Sequence, residues 1–166
     1  AEKAGIMKTG SPVVIGYQEY DAALDVLIAT AERLKCPTAI YGQDFSAHEE
    51  HGRMVYQDEF SLVDAPLPRL PGRHQLGNAA AAIRAVKAAG FSVTDRMIEK
   101  AMTSVEWPGR LQRVTRGRIF DLAPKGSEIW IDGGHNPGAG EVIAEAMAGF
   151  EEKSARPLVL IAGMIN

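Results

Sequence analysis

A single cysteine, Cys36, leaves the chain without any internal disulfide framework and suits a reducing cytoplasm. It sits beside Pro37 with nothing nearby to activate a thiol, so its expected role is structural. Positive charge is not in excess: 18 Lys and Arg against 21 Asp and Glu give a net charge of −3, which argues against a nucleic-acid-binding surface. No run approaches the ~18 consecutive apolar residues that span a bilayer, and the first residues do not follow a charged-then-apolar leader pattern. There is no internal repeat and no low-complexity tract beyond the alanines of residues 79–89. Neither G-x-G-x-x-G nor G-x-x-x-x-G-K-[ST] occurs, which disfavours a dinucleotide oxidoreductase and leaves the chain without a phosphate loop. What remains is an ordinary globular composition, 46% hydrophobic and 23% charged over 166 residues.

The stretch that organises the chain runs from Glu128 to Met147. Ile129-Trp130-Ile131 is a short apolar run of the buried-strand kind, ended by Asp132 and turned by Gly133-Gly134. Asn136 is a good N-cap and Pro137 a good first helical residue. Ala139, Val142, Ile143, Ala146, Met147 and Phe150 then recur at helical spacing. A strand, a glycine turn and a helix N-terminus thus bring Asp132 and His135 to the strand's C-terminal end, where open α/β sheets bind ligands and where helix N–H groups suit an anion. A plain tight turn with a capping Asn and a surface His fits the same spacing.

Upstream, Pro12–Gly16 reads as a buried strand, Glu19–Leu34 as a helix with Tyr20, Leu24, Leu27, Ile28, Ala31 and Leu34 on its inner face, and Thr38–Phe45 as the next strand. This βαβ order predicts a parallel pair. Residues 46–64 read as a surface hairpin turning at Gly52. The cluster His48, Glu49, Glu50 and His51 matches no metal-ligand spacing and is expected to be a solvated tip. Asn78–Ala89 is rich in helix formers and ends at Gly90; Thr94 caps a second helix with Met97, Ile98, Ala101, Met102 and Val105 inward. Trp107-Pro108-Gly109-Arg110 breaks the helical pattern, a β-like mode resumes over Gln112–Leu122, and a boundary between domains is expected near 107–113. Arg110 on its own is compatible with a surface arginine. The final run from Leu158 to Asn166 reads as a buried strand without a following crossover, and the expectation is an interior piece of a longer protein.

Five motifs in order resemble those of the folylpolyglutamate synthase/dihydrofolate synthase family. They are Glu2-Lys3-Ala4-Gly5-Ile6, His74-Gln75-Leu76-Gly77-Asn78-Ala79, Trp107-Pro108-Gly109-Arg110-Leu111, Asp132-Gly133-Gly134-His135-Asn136-Pro137 (Gly134 replacing the usual alanine) and Ala162-Gly163-Met164. The resemblance implies an α/β fold of the Mur-ligase type. Residues 1–108 would be the C-terminal part of the central ATP-binding domain and residues 109–166 the N-terminal part of a Rossmann-like C-terminal domain. The implied activity is an ATP- and Mg²⁺-dependent amide ligase. It phosphorylates a carboxylate of dihydropteroate or a folyl(poly)glutamate, and the amine of L-glutamate then attacks the acyl phosphate.

The resemblance also implies residue roles. Lys3 would be the lysine carried as a carbamate, a catalytic group and Mg²⁺ ligand; neutral lysine is a precondition, and lysine's pKa shifts readily on burial. Asn78 would contact adenine, Arg110 the nucleotide phosphates and Asp132 the ribose, while His135 would face either the nucleotide or the incoming glutamate. The phosphate loop, the pterin site and the other Mg²⁺ ligands would lie outside the chain, which by itself is then expected to be inactive. The implied protein is a cytoplasmic monomer without nucleic-acid or membrane partners. Two rivals remain: a peptidoglycan Mur ligase with the same chemistry on a UDP-linked sugar peptide, and a non-catalytic nucleotide-binding α/β module.

Overall fold

In the computed structural model, which describes residues 2–163, the chain divides into two compact units. One comprises the residues up to Arg69 together with Arg73–Val105; the other comprises Leu70–Gly72 and the residues from Glu106 onward.

The first unit opens with a 3₁₀ turn over Lys3–Ile6, which buries Ala4. Strand β1 (Val13–Ile15) then pairs in parallel with β2 (Thr38–Ile40), in the register Val13 to Thr38 and Ile15 to Ile40. Helix α1 (Asp21–Arg33) makes the crossover, so the βαβ expectation holds. Its inward set is narrower than the periodicity suggested: Ala31 is buried, whereas Tyr20 precedes the helix and is 67% exposed.

The expected strand over Thr38–Phe45 breaks in the middle. Asp44 bends its carboxylate back to accept from Ile40 N at 2.7 Å, and Gly42 takes the left-handed φ of +85° that the turn requires. The chain restarts as β3 (Phe45–Glu50), which forms an antiparallel meander with β4 (Arg53–Asp58) and β5 (Ser61–Pro66). Glu50 pairs with Arg53 across a two-residue turn, and both turn residues have positive φ: His51 at +49° and Gly52 at +74°. That is the twist-matched hairpin geometry.

The meander is not the surface hairpin the charged tip suggested. Alternation along its strands puts Phe45, Ala47, Met54, Tyr56, Val63 and Ala65 on one face, and Met54, Tyr56 and Ala65 are wholly shielded from solvent. Helices α2 (His74–Ala88) and α3 (Asp95–Ser104) cover that face with Ala79, Ala80, Ile83, Ile98 and Met102. The alanines of α2 therefore serve close packing, as expected. Gly90, at φ +84°, ends the α2 segment, and Thr94 Oγ1 accepts from Met97 N to cap α3. Met97 itself, expected inward, is 56% exposed; the buried stripe of α3 is Ile98 and Met102.

A buried polar knot locks β4, β5 and α2 together. Asp58 Oδ2 accepts from Tyr56 Oη at 2.7 Å and pairs with Lys87 Nζ at 2.9 Å. Its Oδ1 accepts from Ser61 Oγ at 2.9 Å and from Phe60 N at 3.0 Å. Lys87 also lies over the Tyr56 ring, 4.9 Å from its centroid. Burial alone would raise the pKa of Asp58, but hydrogen bonds from Tyr56, Lys87, Ser61 and the Phe60 amide overcome it and hold the carboxyl well below its usual range. Burial, then the bond to Asp58, pushes the Tyr56 phenol above its ordinary value.

The second unit pairs β6 (Gln112–Val114) with β7 (Ile129–Ile131) antiparallel. The β-like mode expected up to Leu122 stops at Val114. Gly117, at φ +98°, turns the chain into a single helical turn, α4 (Arg118–Leu122). Helix α5 (Pro137–Lys153) follows β7, and all six of its predicted inward residues are half-buried, with Trp130 stacked on Phe150 at 4.6 Å. The strand expected from Leu158 is not formed over the described residues: Leu158, Val159, Leu160 and Ile161 are 67–92% exposed. An apolar run becomes a strand only where a neighbour takes its N–H and C=O groups, and β6 and β7 do not. Met164, the last residue of the Ala-Gly-Met motif, lies outside the described residues.

Candidate functional site

The turn after β7 is built around one carboxylate. Asp132 ends the strand half-buried, and its Oδ1 accepts from Gly134 N at 2.6 Å. Its Oδ2 accepts from Leu111 N at 2.8 Å, on the Trp-Pro-Gly-Arg-Leu loop. A second tie joins the same two segments, from Gly133 N to Gly109 O at 2.8 Å. Asn136 Oδ1 accepts from Ala139 N at 2.9 Å and so caps α5, with Pro137 at the first turn, as its sequence predicted.

Three of the predicted site residues gather about Gly133. Arg110 is exposed and lies so close over this glycine that a Cβ added there would stand 3.3 Å from its Nη1. His135 Nδ1 is 3.1 Å from Gly133 O. A carbonyl can only accept, so Nδ1 carries the proton in that bond, and neutral His135 keeps its lone pair on Nε2. Asp132 completes the group. The α5 N-terminus beside them is an electropositive end, and Arg110 makes no ion pair among the described residues. A guanidinium without a partner at such a helix start is suited to oxyanions, phosphates foremost.

The other two predicted residues lie in the first unit. Lys3 is exposed in the 3₁₀ turn and lines a cleft of about 370 Å³ that runs along β1, together with Met7, Lys8, Val13, Ile15, Gly16 and Gln18. Asn78 is exposed on α2, its Nδ2 donating to Gln75 Oε1 at 3.1 Å; Gln75 in turn is buried and 2.8 Å from His74 Nε2. Asn78 is not among the residues lining the cleft. No group of three or more His, Cys, Asp or Glu that could hold a metal occurs among the described residues, so these side chains do not themselves make a cage for Mg²⁺.

The sequence reading missed what fastens the site. Nothing in spacing tells that Asp132 would bond Leu111, twenty-one positions earlier. The one available signal was the paired interruption of two glycine-containing turns at the ends of adjacent strands.

Gly134 is the tightest of these glycines. A Cβ there would fall 2.9 Å from Ile143 Cδ1, 3.0 Å from Asp132 Oδ1 and 3.1 Å from Ala139 Cβ. Gly134→Ala is therefore expected to destabilise the second unit by roughly 1–2 kcal/mol in urea unfolding. Ile143→Val, which removes the colliding terminal carbon, is expected to restore part of the loss; a neutral Gly134→Ala would show that Ile143 swings aside freely.

No family model matches the chain. It is 27% identical to the dihydrofolate synthase/folylpolyglutamate synthase of Haemophilus influenzae over 173 aligned positions, covering 99% of the chain and 38% of that protein. It is 30% identical to the folylpolyglutamate synthase of Lacticaseibacillus casei, covering 98% and 37%. Among solved structures, an FPGS–AMPPCP–folate complex superposes with a TM-score of 0.70 at 28% identity, covering 89% of the chain and 36% of that one. A bifunctional folylpolyglutamate synthase/dihydrofolate synthase with Mn, AMPPNP and L-glutamate bound superposes at 0.72 and 21% identity over 89% and 32%, which speaks for the fold alone.

The strand–turn–helix site and the βαβ unit thus belong to an α/β protein of the Mur-ligase type. Within that class, the chain is a relative of the folylpolyglutamate synthase/dihydrofolate synthase family. It spans just over a third of the length of the curated relatives it matches.

Proposed function

We propose that the chain is part of an ATP-dependent ligase that joins L-glutamate to dihydropteroate or to a folate. The observation that carries this reading is the gathering of Arg110, Asp132 and His135 about Gly133 at the N-terminus of α5. The relatives' names and bound ligands support it. In this reading the residues up to Pro108 are part of the central ATP-binding domain, and those from Gly109 part of the Rossmann-like C-terminal domain.

In such a reaction a carboxylate oxygen attacks the γ-phosphorus of ATP and ADP leaves. The neutral amine of glutamate then attacks the acyl carbon, phosphate leaves, and the surplus proton passes to a base. Arg110 would bind phosphate oxygens, where its fork geometry and fixed charge stabilise the charge of transfer. Asn78 would present its amide to the adenine edge, which needs both a donor and an acceptor. His135, its Nδ1–H held by Gly133 O, would offer Nε2 to a donor on the nucleotide or on glutamate. Lys3 would serve at the wall of the β1 cleft as a carbamate.

Mg²⁺ is the expected cation of such a ligase. A carbamate on Lys3 would supply oxygen ligands of the kind it takes. No step here is routed through the metal. A monomeric enzyme of the cytoplasm is the corresponding expectation; no helix of the described residues is long and apolar enough to cross a membrane.

Arg110→Ala and Asn78→Ala in the whole protein test these assignments. Each is expected to raise the KM for ATP, Arg110→Ala by roughly ten- to a hundredfold, as loss of a charged hydrogen bond implies. Binding of the pterin acceptor, measured by its fluorescence, is expected to be unchanged. An ATP KM and kcat equal to the parent's would remove the residue from the site.

A further inference from the structure

Asp132 has more to do than its place at a strand end suggests. Each of its oxygens accepts from one backbone N–H group, at 2.6 Å from Gly134 and 2.8 Å from Leu111. The two residues that flank Arg110 are in the left-handed region, Gly109 at φ +72° and Leu111 at φ +41°. Glycine accepts that conformation freely, but a leucine does so at a cost and persists there only when its surroundings hold it. Here the hold is visible. Leu111 N donates to Asp132, Gly109 O accepts from Gly133 N, and Gly109 N donates to Gln112 Oε1 at 3.0 Å. Arg110 is thus pinned on both sides to the turn over which its guanidinium lies.

We propose that Asp132 is a positioning residue: its carboxylate clasps the Gly109–Leu111 loop onto the β7–α5 turn and so aims Arg110 at the nucleotide phosphates, instead of itself binding the ribose. The proposal rests on the nucleotide reading above and departs from the ribose role that the family resemblance assigns to this aspartate.

The test uses the whole protein with Asp132→Ala, Arg110→Ala and the double variant, assayed with ATP and with 2′,3′-dideoxy-ATP. A clasp predicts that Asp132→Ala raises the ATP KM by about as much as Arg110→Ala, roughly tenfold or more. The double variant should be within about twofold of the worse single, because residues that act as a unit are not additive. The penalty for removing the ribose hydroxyls should be the same in Asp132→Ala as in the parent. Multiplying effects, or a dideoxy penalty that vanishes with Asp132, would overturn the clasp in favour of a ribose contact.

A second readout needs no nucleotide. Amide exchange of the peptide spanning 107–112 should accelerate in Asp132→Ala and be partly slowed again in Asp132→Asn, which keeps one carbonyl acceptor. Unchanged exchange would overturn the clasp. A parent protein that does not use ATP would sink the functional reading, and the exchange result would still decide whether Asp132 holds the loop. If Asp132→Ala does not fold, Asp132→Asn carries both measurements with a smaller expected effect.

Discussion

Tyr56→Ala is expected to cost the first unit about 4 kcal/mol of stability, the largest effect of any single substitution considered. The side chain is wholly buried among Met54, Val63 and the helices, so its removal forfeits transfer energy and leaves a cavity. It also withdraws a hydrogen-bond donor from Asp58, whose side chain is only 2% exposed. Tyr56→Phe separates the two parts. It keeps the ring under Lys87 and loses only the hydroxyl, so roughly 1–2 kcal/mol is expected. Urea unfolding of parent and both variants measures the difference directly. If Phe cost as much as Ala, packing would matter little here and the polar knot would carry nearly all of the effect.

Asp58→Ala is expected to cost about 3 kcal/mol. Removing one member of a buried ion pair leaves the other without its partner, and the Lys87 side chain is only 22% exposed. The pair also has a pH signature. The folded pKa of Asp58 is held below its unfolded value of about 3.9, so its contribution is fully present above that value and is lost as the pH falls below it. The phenol of Tyr56 is shifted the other way; its contribution is present below its unfolded pKa of about 10 and is lost as the pH rises beyond it. The first unit should therefore lose stability on both sides, below about pH 4 and above about pH 10. In Asp58→Asn the acid limb should become shallower, since the group that takes up the proton is gone. An acid limb of unchanged slope would mean that other carboxylates set it.

What could be read in the sequence was whatever depends on near neighbours along the chain. Caps are local, and Thr94 and Asn136 do what their types and positions implied. The βαβ crossover follows from strand and helix periods, and the inward face of α5 from its spacing alone. Non-local pairing was the part that remained hidden. The charges at 48–51 made residues 46–64 look superficial, yet the alternating Met54, Tyr56, Val63 and Ala65 form the floor of the core. Leu158–Ile161 has strand composition, but composition cannot supply the neighbour that a strand needs. Nothing in the spacing singles out Asp58; only the fold brings Lys87, twenty-nine positions later, to its carboxylate. At the candidate site the same division holds. The motifs named Arg110, Asp132 and His135, while the bonds that bring the Gly109–Leu111 loop to Asp132 and Gly133 join residues more than twenty positions apart.

The most direct test of the account is ADP release by the whole protein, supplied with ATP, Mg²⁺ and L-glutamate and offered dihydropteroate, a reduced folate or a UDP-muramyl peptide in turn. The account predicts glutamate-dependent release with a pterin acceptor, and the acceptor that works tells whether the first glutamate is joined, the tail is extended, or both. Release only with the sugar peptide, or none with any acceptor from a folded protein, would contradict it.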